Sequence, residues 1–201
     1  MACVVPLARA DQIPYAPIGT PISSHYTFTA TSTGEIDAYF AGSSAGYTET
    51  LGMLDNGVLD TPTIGALNNQ ISAIGQEADL GPVTAGDTLT FVIHVENNDG
   101  NIYSDPSLNA PYDLNGSDGH NHVYSTAYTA TSRIFPGVPV GTFVSFEDLP
   151  FPNSDFDYND TTFVVTNVSM AAPDSSSSLI LLGMGLAAIG LLQRRQSPPS
   201  R

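Results

Sequence analysis

The feature that most constrains the fold is a repeated alternation of apolar and polar residues in short segments. In one segment, Leu89, Phe91, Ile93 and Val95 occupy every second position. Successive side chains of a strand point to opposite faces, so this period of two predicts a β-strand with one buried face. Segments with β-branched or aromatic residues in similar patterns are residues 25–30, 36–40, 122–129, 142–146 and 161–168.

Turn-forming residues separate these segments. They are Asn56-Gly57, residues 85–87, Asp99-Gly100, Asn115-Gly116 and Pro136-Gly137. Many short strands with such turns predict an all-β fold, an antiparallel β-sandwich of the jelly-roll type, over residues 11–170.

Two segments depart from the strand pattern. Leu67, Ile71 and Ile74 have helical spacing, so residues 67–78 are the one place in the core where a short helix is expected. Residues 97–121 are rich in Asn, Asp and Gly and predict one long loop, a type of segment that often carries function.

The charge balance limits the classes of partner. The chain has 20 acidic residues and five basic ones, with a net charge of −15. All five basic residues are Arg, and Arg133 is the only one between residues 11 and 172. Such a field repels nucleic acid and attracts divalent cations, although it also serves to keep a surface soluble. Because Cys3 is the only cysteine, no disulfide stabilises the core, and bound calcium is one alternative means of stabilisation.

The densest polar cluster lies between the last two predicted strands, residues 142–146 and 161–168, which are expected to form a hairpin. Acidic and amide residues at alternate positions resemble the first half of a calcium loop. The sequence is not an EF-hand, because Asp160 stands at the glycine position and Thr166 at the glutamate position. The predicted calcium ligands are Glu147, Asp148, Asp155, Asp157, Asn159 and Asp160. The alternative is a solvated acidic hairpin loop in which Asp and Asn form turns.

No residue set indicates an enzyme. His120 and His122 have a spacing that permits zinc or copper binding, but no third ligand is evident and a solvated loop is the favoured interpretation. There is no Gly-x-Ser-x-Gly element, and no nucleophile and base can be paired. Paired carboxylates leave glycoside hydrolysis open. The absence of Trp argues against it, because sugar-binding clefts commonly use Trp as a platform.

Both ends of the chain indicate export. Residues 1–10 are interpreted as the end of a signal peptide, because Ala8-Arg9-Ala10 has the small-x-small pattern of a cleavage site; the alternative is a disordered tail. Near the other end, Pro173-Asp174 precedes four serines, an apolar run from Leu179 to Leu192 and the pair Arg194-Arg195. As a helix, residues 175–192 would be about 27 Å long, close to the hydrocarbon thickness of a membrane.

The layout of residues 171–201 resembles the PEP-CTERM class of sorting signals. The segment Ala-Pro-Asp-Ser-Ser at residues 172–176 is similar to the Val-Pro-Asp-Ser-Gly variant of that class, from which it departs at Ala172 and Ser176. The resemblance implies an exported bacterial protein with Pro173 and Asp174 in the sorting motif. It also implies a transient inner-membrane anchor and cleavage near the motif by an exosortase-type enzyme.

The core gives a second resemblance. Residues 34–54 and the segments Phe-Glu-Asp-Leu-Pro (146–150) and Asp-Phe-Asp-Tyr-Asn-Asp (155–160) are similar to a domain of unknown function found in exported PEP-CTERM proteins. That family has no established activity, so the resemblance implies fold and export only. Because Trp is absent and no nucleophile and base can be paired, we expect a structural or adhesive protein of the cell surface or extracellular matrix, with exopolysaccharide as a candidate partner. The alternative is a secreted carbohydrate-binding or glycoside-hydrolysing domain.

Overall fold

The computed structural model describes residues 18–59, 65, 67–112, 120–129 and 134–172. These residues form eleven strands and one 3-10 helix, Pro106–Leu108. In chain order the strands are β1 Thr27–Ala30, β2 Gly34–Gly42, β3 Glu49–Asp55, β4 Val58–Leu59, β5 Glu77–Val83, β6 Thr88–Val95, β7 Gly100–Tyr103, β8 Val123–Tyr128, β9 Gly141–Phe146, β10 Thr161–Val165 and β11 Val168–Ala171.

The strands form two antiparallel sheets. The first sheet has the order β11-β1-β6-β3-β4, and β7 pairs with the second half of β6. The second sheet has the order β5-β2-β10-β9-β8. Both sheets belong to one compact unit that ends at Ala171. The predicted antiparallel sandwich is confirmed, whereas the predicted C-terminal helix lies outside the described residues.

The inward faces of the two sheets share one apolar core. From the first sheet, Phe28 and Phe91 meet edge to face with ring centroids 5.1 Å apart. From the second sheet, Phe40 and Phe163 meet at 6.0 Å. All four are buried in one continuous cluster, together with Leu89, Ile93 and Val95 of the segment that showed the clearest alternation. Apolar side chains thus come from alternate positions of both sheets, as the period of two requires.

A second, smaller cluster covers the outer face of β9 and β10. It contains Tyr128, Phe135, Phe143, Tyr158 and Val164. Because both faces of β10 are covered, all five of its residues are buried. The loop before β10 is held down by this cluster through Tyr158, whose hydroxyl also accepts a hydrogen bond from the Ile22 amide at 2.8 Å.

Three predictions from the sequence need correction. Residues 67–78 are not helical: residues 67–76 form turns and one bridge, and Glu77 begins β5. Ile71 is 82% exposed, so this segment has no apolar stripe to bury. Residues 97–121 are not one long loop. Asp99, at φ 53°, lies in a tight turn after β6, and the chain then pairs with β6 as strand β7. Residues 161–168 are not one strand. Residues 161–165 form the whole of β10 in the second sheet, and Val168 begins β11 in the first, with Asn167 at φ 60° between them.

Candidate metal centre

The predicted ligands lie in the loop that joins β9 to β10. These strands are antiparallel neighbours, with Phe146 opposite Thr161, so residues 147–160 leave and return at one end of the second sheet. The Asp160 amide donates to the Phe146 carbonyl at 3.2 Å, and the Asp148 amide donates to the Asp160 carboxylate at 2.7 Å. The hairpin predicted from the sequence therefore brings both ends of the acidic segment together.

The rest of the loop wraps around the Glu147 carboxylate. Its Oε2 accepts hydrogen bonds from the amides of Asp157 at 3.2 Å and Tyr158 at 3.5 Å. Phe156 and Tyr158 have φ values of 54° and 51°, in the left-handed region that side chains other than glycine seldom adopt. The Ser145 hydroxyl donates to the Tyr158 carbonyl and holds this turn against β9.

The loop carboxylates form two groups with the spacing of metal ligands. In one group, oxygens of Glu147, Asp155 and Asp157 lie within 4.8 Å of one another. In the other, oxygens of Glu147, Asp148 and Asp160 lie within the same distance. Since calcium binds oxygens at 2.3–2.6 Å, oxygens on one ion lie up to about 5 Å apart, so each group fits around a single ion.

Asn159, the sixth predicted ligand, lies beside Asp157. Its amide nitrogen donates to Asp157 Oδ2 at 2.7 Å, and its backbone N–H donates to Asp157 Oδ1 at 3.2 Å. Its Oδ1 is buried and accepts no hydrogen bond. Asn159 thus orients the Asp157 carboxylate and contributes a further unpaired oxygen to the loop.

Glu49, on β3 of the opposite sheet, adjoins the cluster and was missed by the sequence reasoning, although it belongs to neither of the two groups with metal-ligand spacing. Its side chain is fully buried, and neither carboxylate oxygen accepts a hydrogen bond from a donor. The Asp148 carboxylate lies within hydrogen-bonding reach, a contact that requires a proton or a cation between the two groups. The signal was present in the sequence: Glu49 is in phase with the buried residues Leu51 and Met53.

The site concentrates negative charge where water is excluded. Burial, followed by the charge of Asp148, raises the pKa of Asp160 to about 9. Burial, followed by the charge of Asp155, raises the pKa of Glu147 to about 7. Burial is also the first cause that raises the pKa values of Glu49, Asp148 and Asp157. Ionising these groups together is unfavourable unless a positive charge lies among them.

The described part of the chain supplies little compensating positive charge. It contains no Lys or Arg, and an ion pair between two described residues joins His94 to Asp99 at 3.8 Å. His122 is buried at the edge of the acidic cluster, where its Nδ1 lies 3.1 Å from the Glu147 carbonyl. His120 instead stacks on Phe151 with ring centroids 3.7 Å apart. Within the described ranges, neither histidine belongs to a group with metal-ligand spacing.

A groove of about 860 Å³ lies on the outer face of the first sheet. Thr88 and Thr90, which alternate with the core residues of β6, line its floor, and Tyr103 and Tyr112 contribute aromatic rings. Tyr112 connects the groove with the acidic cluster, because its hydroxyl donates to the Asp148 carbonyl at 2.5 Å. The groove offers amides, hydroxyls and two tyrosine rings, which are groups suited to a polar ligand.

Comparison with protein families identifies the C-terminal tail. Residues 173–196 match the model of the VPDSG-CTERM motif. The chain therefore carries a PEP-CTERM-like sorting tail, the mark of an exported protein handled by an exosortase-type system. The predicted sorting residues Pro173 and Asp174 are the first two positions of the match.

Comparison with curated proteins and with solved structures gave no match. The resemblance of the core to a domain of unknown function thus stays a prediction, as do the domain limits at residues 10 and 170. Among the described residues no helix is long and apolar enough to span a membrane. The predicted span, residues 175–192, lies outside them.

Proposed function

We propose that this exported protein is a structural or adhesive module of the cell surface or extracellular matrix, and that calcium holds its acidic end together. The observation that carries the proposal is Glu49: a fully buried carboxylate with no donor on either oxygen, placed against Asp148 from the opposite sheet. Buried polar groups in folded proteins almost always have partners. A cation between the two sheets supplies the missing one.

The donor set favours calcium over other metals. All predicted ligands offer oxygen atoms, and calcium takes six to eight oxygens in flexible geometry. Zinc and copper prefer nitrogen or sulfur ligands, and the described clusters contain only carboxylates. Magnesium demands a strict octahedron and dehydrates reluctantly, so an irregular, buried carboxylate cluster suits it less well.

Calcium also links the site to the proposed role. Glu49 belongs to the first sheet, whereas Glu147, Asp148 and Asp160 flank strands of the second. An ion bound by both sets joins the two layers at one end of the sandwich, where disulfides are absent. Such a link stabilises the folded state by RT ln(1 + [L]/Kd), about 2.7 kcal/mol at a hundredfold excess of calcium over Kd.

Thermal unfolding of the full-length chain in non-ionic detergent tests the proposal. We expect 10 mM calcium to raise Tm by about 5–10 °C relative to EDTA, and magnesium to raise it less. Replacing Asp160 with Asn, which removes a carboxylate from the group that lies toward the opposite sheet, should abolish most of the calcium response, while Asp105→Asn, at an acid outside the cluster, should retain it. An identical Tm in EDTA and calcium for the unaltered chain would refute the calcium site.

The processing route is a separate part of the proposal. We infer that residues 175–192 anchor the protein transiently in the inner membrane and that an exosortase-type enzyme cleaves near Pro173-Asp174. Replacing Leu182 and Leu186 with Asp should release the unprocessed protein from membranes, because each charge at mid-span costs about 2.5–3.5 kcal/mol. Unchanged membrane fractionation contradicts the anchor, and a mature species that retains Leu179–Leu192 contradicts the cleavage.

The groove on the first sheet supports a second candidate function, carbohydrate binding. Tyr103 and Tyr112 offer ring faces, and Asn98, Asn101 and Asp99 offer hydrogen bonds to hydroxyl groups. Exopolysaccharide is the candidate partner. A glycan array with the unaltered chain and with Tyr103→Ala tests binding, and a panel of chromogenic glycosides tests hydrolysis. Binding that persists unchanged in the Tyr103 variant excludes this groove.

A further inference from the structure

We infer that the acidic end holds two calcium ions bridged by Glu147, an inner ion between the sheets and an outer ion that faces solvent. This inference rests on the proposed function and adds the number, arrangement and accessibility of the ions. The inner site comprises Glu147, Asp148 and Asp160, with Glu49 adjoining them. The outer site comprises Glu147, Asp155 and Asp157.

The spacing of the carboxylates separates the two sites. The five loop carboxylates fall into two groups within 4.8 Å, and Glu147 is the one residue that both groups contain. Asp155 and Asp157 are not grouped with Asp148 and Asp160 at that distance. Because all ligands of one calcium ion must lie within about 5 Å of one another, a single ion at either position leaves the other group without a cation.

The two oxygens of Glu147 have different environments, as a bridging carboxylate requires. Oε2 accepts the amides of Asp157 and Tyr158 and is thereby fixed toward the outer part of the loop. Oε1 is buried and meets no donor, although the residue as a whole is 1% exposed. An unpaired oxygen on a fully buried side chain indicates a ligand position that the protein itself does not fill.

Charge also favours two ions. Adding Glu49 to the five loop carboxylates gives six negative groups, and no described Lys or Arg offsets them. One calcium ion neutralises two of these charges, whereas two ions neutralise four. Repulsion between close charges is strongest where water is excluded, so the inner and outer groups each gain from a separate cation.

The exposure of the ligands predicts different properties for the two ions. Glu49, Glu147 and Asp148 are buried and Asp160 is partly exposed, whereas Asp155 is exposed and Asp157 partly exposed. Three carboxylates, each contributing one oxygen, leave three to five of the six to eight calcium positions of the outer ion for water or for oxygens of an external ligand. We therefore expect the outer ion to bind more weakly and to exchange with solvent, and the inner ion to be retained with the fold.

Calcium titration of the full-length chain, in non-ionic detergent and after EDTA treatment and its removal, tests this arrangement. Isothermal titration calorimetry and native mass spectrometry should show two ions, with Kd values that differ at least tenfold. Asp155→Ala should remove the weaker ion and leave the tighter one. Glu49→Gln, which preserves side-chain size, should weaken the tighter ion at least tenfold. Glu77→Ala, at an exposed acid of β5 outside both the cluster and the groove, should change neither.

The possible outcomes separate the inference from the proposal on which it rests. A stoichiometry of one overturns the two-ion centre and leaves the calcium proposal standing. No bound calcium overturns both. Loss of both ions in Asp155→Ala, with an unchanged circular dichroism spectrum, overturns the assignment of independent inner and outer sites. Two ions of equal affinity overturn the predicted difference in accessibility.

Discussion

Two acidic regions of this protein have similar residues and opposite environments. In the segment around β7, Asp99 has a side chain 97% exposed. Asp105 accepts hydrogen bonds from the amide and the hydroxyl of Ser107, at 3.0 and 2.8 Å, and so caps the 3-10 helix. In the β9–β10 loop, Glu147 and Asp148 are buried, and across the interface Glu49 has no donor at all.

The contrast shows that acidity alone does not create a demand for a cation. A solvated carboxylate, or one that accepts hydrogen bonds in a turn, is already satisfied. A carboxylate removed from water needs a partner of opposite charge or must take up a proton. The number of acidic residues therefore indicates metal binding less well than the burial of each carboxylate and the hydrogen bonds that it accepts.

The largest effect is expected from Glu49→Gln, which removes a buried carboxyl group at nearly constant volume. Burial, followed by the contact with Asp148, raises the pKa of Glu49 to about 10, so in EDTA at neutral pH the glutamine replaces a neutral carboxyl and the variant should melt at nearly the same temperature as the unaltered chain. The rise of about 5–10 °C in calcium should fall to less than about 2 °C. Differential scanning calorimetry measures both. A full calcium response in this variant would show that Glu49 plays no part in the site.

The second-largest effect is expected on the pH dependence of Tm, which should come from the buried carboxylates of the β9–β10 loop. The pKa of Asp160 is raised to about 9 by burial and by the charge of Asp148. A group with a raised folded-state pKa contributes stability below its unfolded pKa of about 4 and loses that stability as pH rises through the folded value. In EDTA we therefore expect Tm to fall between about pH 5 and 9.

Calcium should reduce that fall, because it binds the ionised carboxylates and competes with protons. The calcium-induced rise in Tm should accordingly grow with pH over the same range. Melting curves in EDTA and in calcium at several pH values give the comparison. A calcium effect that decreases as pH rises would contradict binding to these carboxylates.

Tyr112→Phe should have a moderate effect, since this residue joins the two regions. Its hydroxyl donates to the Asp148 carbonyl at 2.5 Å and accepts from the Asn98 side chain at 3.0 Å. Leaving these partners unpaired should cost about 1–2 kcal/mol, or about 2–6 °C in Tm. Tyr103→Phe, on the same groove, is the control for loss of a tyrosine hydroxyl. Equal effects of the two changes would argue against a specific link through Tyr112.

The smallest effect is expected from Asp99→Asn. The side chain is exposed, and its ion pair with His94 is long at 3.8 Å. Surface substitutions of this kind change stability by less than about 0.5 kcal/mol, and exposed ion pairs contribute little. Urea unfolding with and without calcium should give curves that match those of the unaltered chain. A large loss of stability would show that the region around β7 depends on its charge, as the β9–β10 loop does.

Much of the fold follows from patterns that act over a few residues. The alternation in Leu89–Val95 predicted a strand, which the structure has as β6, and Asn56-Gly57, with φ values of 48° and 80°, forms the predicted tight turn between β3 and β4. The approach of Glu147 to Asp160 was also predictable, because a hairpin brings the ends of its loop together. The sorting tail is encoded in a short linear motif, which needs no fold to be read.

Other features depended on which segments meet in space. Apolar Leu67, Ile71 and Ile74 had the spacing of a helix, but only Leu67 found a place in the core and the segment became turns. The continuous β-rich segment at 161–168 divides at Asn167, whose side chain accepts from the Ser32 amide at 2.9 Å where the chain crosses between sheets. Neither outcome follows from local periodicity, because each depends on residues distant in the chain.

For Glu49 in the candidate site, the sequence determines the direction of the side chain, and the packing of the two sheets determines its surroundings. Its phase in β3 directs it toward the core, which the alternation already indicates. Only the stacking of β3 across from the β9–β10 loop places its carboxylate against Asp148 and away from any donor. Strand propensity and turn geometry are set by neighbours in sequence, whereas the energy of a buried charge is set by whatever the opposite sheet brings against it.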